Sequence, residues 1–413
     1  DYFNLVTFSS NVETFAPFLQ PMENRSMADA WLDGVSPGGS TNIQDALLTA
    51  LKMDSGSRPT YVIFLTDGLP TSGETNSTTI LENIQEQAVG STRLFTFGVG
   101  YDVDTFLLDQ LALDHHGSSA YVRPGEDAEA SVSGFYQKIS APVLTDLKID
   151  VQGAGIYDAQ PAQLPDLFYG SQLVVTGRYR NPGLADITLS GKRGNEPYEK
   201  IVSGVEFSSG SGTDHQQLSY LARLWAARKI GNLLNLVRMQ GADKETIEQI
   251  VALSIRFGIV TPYTSYLVTE TDALGVEAQQ RIAEQEYSVQ AAMPTQVSGA
   301  GAVNKAADAG AMSAAENLNG AYGSGGMSGG DGNVPVPITQ DIVKSAGSRT
   351  FVQKDGTWID TRYDPDTMKP VQVKFLSNEY FALIKTDHDL AAGLALGSRV
   401  IILANNVVYE IVE

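Results

Sequence analysis

The sequence predicts a doubly wound α/β domain at the N-terminus, then a β-sandwich with helices, then a small α+β domain. Two observations indicate the first domain. The segments Thr60–Thr66 and Arg93–Val99 are nearly continuous apolar runs, which are typical of strands buried on both faces of a parallel sheet. Segments with apolar residues at helical spacing alternate with such runs up to about residue 140, as the strands and helices of a doubly wound fold do.

The N-terminal domain, residues 1–140, is predicted to begin directly with a strand over Tyr2–Phe8. Its clearest helix is Thr41–Met53, in which apolar residues recur at helical spacing from Ile43 onward. The other predicted elements are a short edge strand over Asn11–Phe18, helices over Ser26–Val35, Thr75–Val89, Asp104–Leu113 and Glu126–Ile139, and a strand over Ala120–Arg123.

The pattern changes after Pro142, where alternating strands follow one another without helices between them. Residues 141–270 are therefore predicted to form a β-sandwich followed by a helical region. The predicted elements are strands over Leu144–Val151, Gln172–Tyr179, Ala185–Ser190 and Tyr198–Phe207, helices over His215–Met239 and Lys244–Phe257, and a strand over Tyr263–Val268.

Residues 271–333 are predicted to be a linker that contains a helix over Val276–Ala292. The stretch Val297–Gly332 is rich in Ala, Gly, Ser and Asn, which bury too little apolar surface to order a segment by themselves. We expect this stretch to be ordered only where it packs on another part of the protein.

Residues 334–413 are predicted to form a separate α+β domain. Two strands, Gly347–Gln353 and Thr357–Arg362, flank the turn sequence Lys354-Asp-Gly356 and predict a hairpin. The remaining predicted elements are a strand over Val371–Leu376, a helix over Asn378–Leu390, and strands over Arg399–Leu403 and Val407–Val412.

Composition excludes several classes of function. The chain has no Cys, so it contains neither a disulfide nor a thiol nucleophile. Its net charge of −20 argues against a nucleic-acid-binding surface and fits a secreted or cation-binding protein. No apolar run is long enough to span a membrane. The sequence shows no Ser-His-Asp arrangement and no phosphate-binding loop, and the adjacent His115 and His116 point in different directions, so we expect a protein that is not an enzyme.

Two residues suit a metal ion. Thr41 follows a Gly-Gly loop at the start of a predicted helix, and Asp67 follows the buried strand Thr60–Thr66. Ligands bind at the carboxyl ends of strands in open α/β sheets, and a hydroxyl beside a carboxylate supplies the oxygen ligands that Mg²⁺ prefers. We also expect the Thr41 hydroxyl to cap its helix, which is compatible with metal binding, whereas an isolated Asp at a strand end is more often a turn residue. The pair in this order and spacing favours the metal.

The motifs Gly38-Gly-Ser-Thr-Asn-Ile43 and Phe64-Leu-Thr-Asp-Gly-Leu-Pro70 together resemble a von Willebrand factor type A domain, which has a Rossmann-like fold. The resemblance implies a metal-ion-dependent adhesion site in which Thr41 and Asp67 match the Thr and the second Asp. It also implies a divalent cation, Mg²⁺ or alternatively Mn²⁺ or Ca²⁺, and a protein partner that offers an acidic residue. The Asp-x-Ser-x-Ser motif that completes this site in the family has no counterpart in the sequence.

A second resemblance involves Leu224-Trp-Ala-Ala-Arg-Lys-Ile230 and the stretch from Gly258 to Val268. These are similar to the region after the type A domain in inter-alpha-trypsin inhibitor heavy chains and their bacterial relatives, which carry a VIT domain before it. The tail motifs Thr357-Trp-Ile-Asp-Thr361 and Glu379-Tyr-Phe-Ala-Leu383 look like the C-terminal module of the bacterial members. The resemblance implies an extracellular or cell-envelope protein.

The resemblance places Asp1 at the second strand of the type A fold and implies that the central first strand is missing. We therefore expect that strand to come from an N-terminal fragment of the same protein or from another subunit. The strands Tyr2–Phe8 and Thr60–Thr66 should then not pair with each other, because the missing strand lies between them.

The function that these features favour is non-enzymatic binding of a protein partner through a divalent cation on the type A domain. One alternative is a structural subunit of an extracellular or envelope assembly that binds no metal. Another is an accessory part of a hydrolase whose catalytic domain lies upstream.

Overall fold

The computed structural model describes residues 1–53, 60–87, 92–139, 142–169, 171–194, 196–209, 215–257, 259, 261, 296–316, 343–346, 349–365, 367–386, 388–404 and 407–413. The predicted strand Tyr263–Val268 and the predicted helix Val276–Ala292 lie outside these residues. None of the helices in the described ranges combines the length and apolar character needed to cross a membrane.

The predicted first strand is divided in two at Asn4. The Asn4 side chain accepts hydrogen bonds from the backbone N–H groups of Leu5 and Ala16 and donates one to the Ala16 carbonyl, so it replaces backbone pairing at this point. The elements that result are strands β1 (Tyr2–Phe3), β2 (Val6–Phe8), β3 (Val12–Thr14) and β4 (Gln20–Pro21), followed by helix α1 (Arg25–Leu32).

A parallel three-stranded sheet with helices between its strands forms the centre of the N-terminal domain, as the alternating pattern predicts. The strands, in spatial order, are β5 (Thr60–Thr66), β6 (Thr92–Val99) and β7 (Ser119–Val122). The helices, in chain order, are α2 (Ile43–Leu51), α3 (Ser77–Gln87), α4 (Thr105–Asp114) and α5 (Ala128–Ile139).

Both faces of β6 are covered. Leu94 belongs to a cluster with apolar residues of α2, α3 and α4, whereas Phe95 and Phe97 pack on the other face against Phe135 of α5 and Phe168. Because Phe168 lies beyond the α/β domain in the chain, the next region of the protein helps to cover the sheet.

Strand β5 is much less buried than β6. Seven of the eight residues of β6 are buried, whereas β5 buries only Phe64 and Thr66, and Leu65 is 42% exposed. In the described part of the chain β2 pairs with β3 and β5 pairs with β6, so β2 and β5 do not pair with each other, as expected. The rings of Phe8 and Phe64 nevertheless stack with their centroids 5.4 Å apart.

The second region contains an antiparallel four-stranded sheet and a separate strand pair. The four-stranded sheet consists, in spatial order, of β10 (Leu167–Phe168), β8 (Pro142–Gln152), β12 (Gly183–Arg193) and β13 (Glu196–Phe207). The separate pair is β9 (Ile156–Gln160) with β11 (Thr176–Tyr179). The sequence pattern did not predict the short strands β9 and β10.

Two helices follow, α6 (His215–Gln240) and α7 (Lys244–Phe257). They share an apolar core that includes Trp225, Ile230 and Ile250. Trp225 is 7% exposed and its indole Nε1–H donates to the Asp158 carbonyl at 2.9 Å, so this tryptophan anchors α6 to β9.

Part of the Ala- and Gly-rich stretch is a helix, α8 (Ala300–Ala314), and not a linker without structure. Its small residues allow close contact with α6: a β-carbon on Gly231 would lie 2.5 Å from the Ser313 backbone nitrogen. Val303 is fully buried in the α/β core, and Asp308 pairs with Arg123 at 3.2 Å. Packing on neighbouring elements therefore orders residues that their composition alone would leave unordered.

The C-terminal domain is a mixed sheet with two helices. In spatial order its strands are β14 (Val343–Ala346), β15 (Arg349–Lys354), β16 (Thr357–Asp360), β18 (Val400–Ala404), β19 (Val407–Val412) and β17 (Val371–Lys374), and its helices are α9 (Asn378–Thr386) and α10 (His388–Leu394). The hairpin around Lys354-Asp-Gly356 is confirmed, and both Asp355 and Gly356 have positive φ, as its turn requires. The single helix predicted over Asn378–Leu390 is two helices.

A buried ion-pair network joins the α/β domain to the second region. Arg93 of β6 donates from Nε to Asp166 at 2.8 Å and from Nη2 to Asp146 at 2.7 Å. The side chains of Arg93 and Asp166 are only 4% and 6% exposed. Removing either the guanidinium or its carboxylates lowers stability strongly, because the charge that remains is buried away from water without a partner.

We expect Arg93→Ala to lower the free energy of unfolding by about 3–5 kcal/mol, because it leaves Asp166 buried without its cation. Urea unfolding followed by tryptophan fluorescence measures this. Arg25→Ala is the matched control, since Arg25 and Asp29 form an exposed pair that should contribute less than about 1 kcal/mol. Equal effects of the two substitutions would contradict a structural role for the Arg93 network.

Tyr61 of β5 lies next to this network with a buried hydroxyl that has no hydrogen-bond partner among the described residues. Burial, with a further contribution from Asp166, raises the pKa of Tyr61 to about 12. The unfolded chain ionises this group near its usual pKa of about 10, so between these two values the unfolded state binds fewer protons and stability falls as pH rises.

We expect Tyr61→Phe to be at least as stable as the wild type at pH 7, since it removes an unsatisfied buried hydroxyl. Its advantage over the wild type should grow as pH rises from about 10 to about 12. Unfolding free energies of both proteins across this pH range provide the test. A constant difference would show that Tyr61 titrates alike in the folded and unfolded states.

Candidate metal centre

Two loops meet at the carboxyl end of β5. The first is Gly38–Asn42, which precedes α2, and the second runs from Asp67 to Ser72. The N–H groups of Thr71 and Ser72 donate to the Thr41 carbonyl at 3.0 and 3.3 Å, and the Thr41 N–H donates to the Thr71 hydroxyl at 2.8 Å. These three bonds fix the backbone of Thr41 against the loop that follows Asp67.

The Thr41 hydroxyl lies directly beside Gly68. A β-carbon on Gly68 would be 3.0 Å from Thr41 Oγ1, a distance shorter than nearly all real contacts of that kind. A residue with a side chain at position 68 would force the Thr41 hydroxyl to move by a few tenths of an ångström. The structure therefore brings Thr41 next to the residue that follows Asp67, as the spacing of the two motifs predicts.

Helix α2 is capped by Asn42 and not by Thr41, so the capping role considered for Thr41 is wrong. The helix begins at Ile43, and the Asn42 side-chain oxygen accepts from the Asp45 N–H. Asn42 is 6% exposed and also donates from Nδ2 to the Asp45 carboxylate at 2.8 Å. Because Asn42 satisfies the helix end, the Thr41 hydroxyl is not needed there.

Neither the Thr41 hydroxyl nor the Asp67 carboxylate forms a hydrogen bond with any residue in the described ranges. Asp67 is exposed at the end of β5. A hydroxyl and a carboxylate are oxygen ligands, and this donor set fits a hard divalent cation such as Mg²⁺. The pair supplies only part of an octahedral shell.

The described ranges contain no group of three or more His, Asp or Glu side chains that could hold a metal ion. His115 is buried, and burial lowers its pKa. Its neighbour His116 points elsewhere and contacts the Gln163 amide. Asp360 of the C-terminal domain is fully buried and occupied by Arg349 and Arg362. Thr41 and Asp67 are thus the better candidates.

Residues 1–133 match the family of the von Willebrand factor type A domain. The chain contains a type A domain. Domains of this type typically bind proteins and carry a metal-ion-dependent adhesion site, and they are generally not enzymes.

The region beyond the type A domain also has known relatives. The chain is similar to human inter-alpha-trypsin inhibitor heavy chain H4, with 32% identity over 305 residues, which cover 69% of this chain and 32% of that protein. The chain therefore spans about a third of the length of this relative.

Two solved structures show more distant similarity. One is a von Willebrand factor type A protein from Catenulispora acidiphila, with 15% identity, coverage of 71% of this chain and 81% of that chain, and a TM-score of 0.40. The other is proximal thread matrix protein 1 from the mussel byssus with a zinc-occupied MIDAS motif, with 17% identity, coverage of 37% of this chain and 38% of that chain, and a TM-score of 0.28. The family assignment depends on the match over residues 1–133.

Sequence reasoning missed two residues that organise the site, Asn42 and Thr71. Asn at the position before an apolar helical pattern is a recognised capping signal, so Asn42 could have been found. The role of Thr71 could not have been found from the sequence, because its hydroxyl contacts a residue 30 positions away in the chain.

We expect Asn42→Ala to lower the free energy of unfolding by about 1 kcal/mol, the usual cost of losing a helix cap. Thr41→Ala should cost less, since in the described structure only the Thr41 backbone takes part in hydrogen bonds. Urea unfolding of both variants alongside the wild type makes the comparison. A larger loss of stability in Thr41→Ala than in Asn42→Ala would instead indicate that Thr41 caps the helix.

Proposed function

We propose that this chain is part of an extracellular protein that binds a protein partner through a divalent cation held at Thr41 and Asp67. The observation that carries the proposal is the position of the Thr41 hydroxyl against Gly68, beside an exposed carboxylate. Both oxygens lack partners among the described residues, and the backbone around them is fixed by hydrogen bonds. The backbone that carries the Thr41 hydroxyl is therefore held in place before a cation binds.

A cation held by these two residues keeps open coordination positions. An acidic side chain of a partner protein fits one of them, because Mg²⁺ prefers carboxylate oxygen and the position faces solvent at the sheet edge. This chemistry is binding and not catalysis. Mn²⁺ or Ca²⁺ could replace Mg²⁺, since each takes oxygen ligands.

We further propose that β5 accepts another strand along the side that faces β2. A seven-residue apolar strand with Leu65 exposed is unusual at a sheet edge, because such edges promote aggregation unless they are covered. A strand that carries Asp-x-Ser-x-Ser would cover it and add ligands next to Asp67. An N-terminal fragment of the same protein or another subunit could supply it.

The test is metal binding by the complete protein, measured by calorimetry with Mg²⁺ and with Mn²⁺. We expect Asp67→Ala to weaken binding of the cation at least about tenfold. Substitution of residues that only hydrogen-bond to a metal ligand already weakens metal binding by this much. Asp102→Ala is the matched control, because Asp102 is also an exposed carboxylate, in the loop that follows β6.

Binding by Asp67→Ala that equals wild-type binding would contradict the assignment of the site. Absence of any divalent-cation binding by the complete protein would instead favour the second candidate, a structural subunit that packs through its type A fold without metal. A peptidase motif upstream in the full-length protein would favour the third, an accessory part of a hydrolase.

A further inference from the structure

An open cleft of about 680 Å³ lies beside the candidate metal centre. Four elements form it: the loop after Asp67, the first turn of α3, the first turn of α4, and the C-terminal end of α6. Apolar side chains provide most of its surface, and they are Leu69, Pro70, Phe106, Met239 and Val297. Thr75, Asn76 and Gln240 form a neutral polar rim.

The two charged residues of the cleft are already bonded to other residues of the protein. Asp104 is 4% exposed, caps α4 by accepting from the Leu107 N–H at 2.9 Å, and accepts a second bond from the Ser77 hydroxyl. Arg238 is paired with Asp109 of α4, and both side chains are nearly buried. The cleft therefore offers an apolar surface and neutral polar groups, but no exposed charge to attract an ionic side chain.

Residues that line the cleft follow those of the metal centre directly in the sequence. Leu69 and Pro70 follow Asp67 after a single glycine, and Thr71, the next residue, is bonded to Thr41. A segment with one carboxylate at the metal would therefore reach the cleft with its neighbouring residues. The volume lies within the range of about 300–1,000 Å³ that is usual for ligand sites and accommodates a few side chains.

We infer that this cleft binds uncharged apolar residues next to the acidic residue that the partner presents to the metal. The inference depends on the proposed function, because it gives the chemistry of the partner for that same site. The occupant is an extended peptide segment with a carboxylate flanked by residues such as Leu. Its apolar side chains would pack against Phe106 and Met239, while its backbone could bond the rim amides of Asn76 and Gln240.

The probes are two peptides, Ser-Leu-Leu-Asp-Leu-Leu-Ser and Ser-Ser-Ser-Asp-Ser-Ser-Ser, both capped and labelled with a fluorophore. Their binding to the complete protein is followed by fluorescence anisotropy in saturating Mg²⁺ and in EDTA. We expect the Leu peptide to bind at least about tenfold more tightly, since apolar contacts of this size change affinity about 10–200-fold. Both peptides should need Mg²⁺.

Two substitutions test the cleft by different means. Phe106→Ala removes an apolar wall, and Gln240→Trp fills the cleft with a bulky side chain from an exposed rim position. Each should reduce the difference between the two peptides to less than about threefold and leave Mg²⁺ binding unchanged. Leu113→Ala is the matched control on α4, since Leu113 is 59% exposed and does not line the cleft.

The outcomes separate this inference from the proposed function. The role of the cleft would be overturned if the two peptides bound equally in a Mg²⁺-dependent way, or if neither cleft substitution reduced the preference for the Leu peptide. The proposed metal site would not be affected by either result. Binding that EDTA or Asp67→Ala leaves unchanged would overturn the metal-linked function, and with it the placement of the occupant inferred here.

Discussion

The coverage of β6 on both faces is the constraint on which the rest of the structure depends. Its buried residues can be shielded from water only if helices pack on one face and aromatic side chains on the other. Part of that second layer is Phe168, from the region after the type A domain, and the nearby Arg93 is paired with Asp166. The type A domain and the second region therefore stabilise each other, because the apolar contact and the buried ion pair form between the same two parts of the chain.

The candidate metal centre depends on the same sheet. Parallel strands end at one edge, so the residues after β5 are presented beside the loop before α2. Backbone hydrogen bonds between these loops hold Thr41, while Asn42 satisfies the helix end and leaves the Thr41 hydroxyl unbonded within the described residues. Gly68 then lets that hydroxyl come close. Separate residues thus provide the structure and the prospective ligands, as pre-organised sites require.

The long helix α6 connects these features to the remainder of the chain. Its middle packs on α8 through Gly231, Trp225 anchors it to β9, and its end forms one wall of the cleft next to the metal centre. Arg238 near that end pairs with Asp109 of α4. A partner bound at the metal would consequently touch the type A domain and a helix from outside it, and both would determine its specificity.

The sequence by itself determined the α/β class, most strands and helices, and the candidate pair Thr41 and Asp67, because apolar periodicity and turn residues act locally. It did not determine that α8 is ordered, since alanine and glycine bury surface only when a partner such as Gly231 permits close approach. Nor did it reveal the Arg93 network, the Thr71 bond to Thr41 or the cleft. Those features join residues far apart in the chain, and only the tertiary structure decides which distant side chains share one buried, low-dielectric environment.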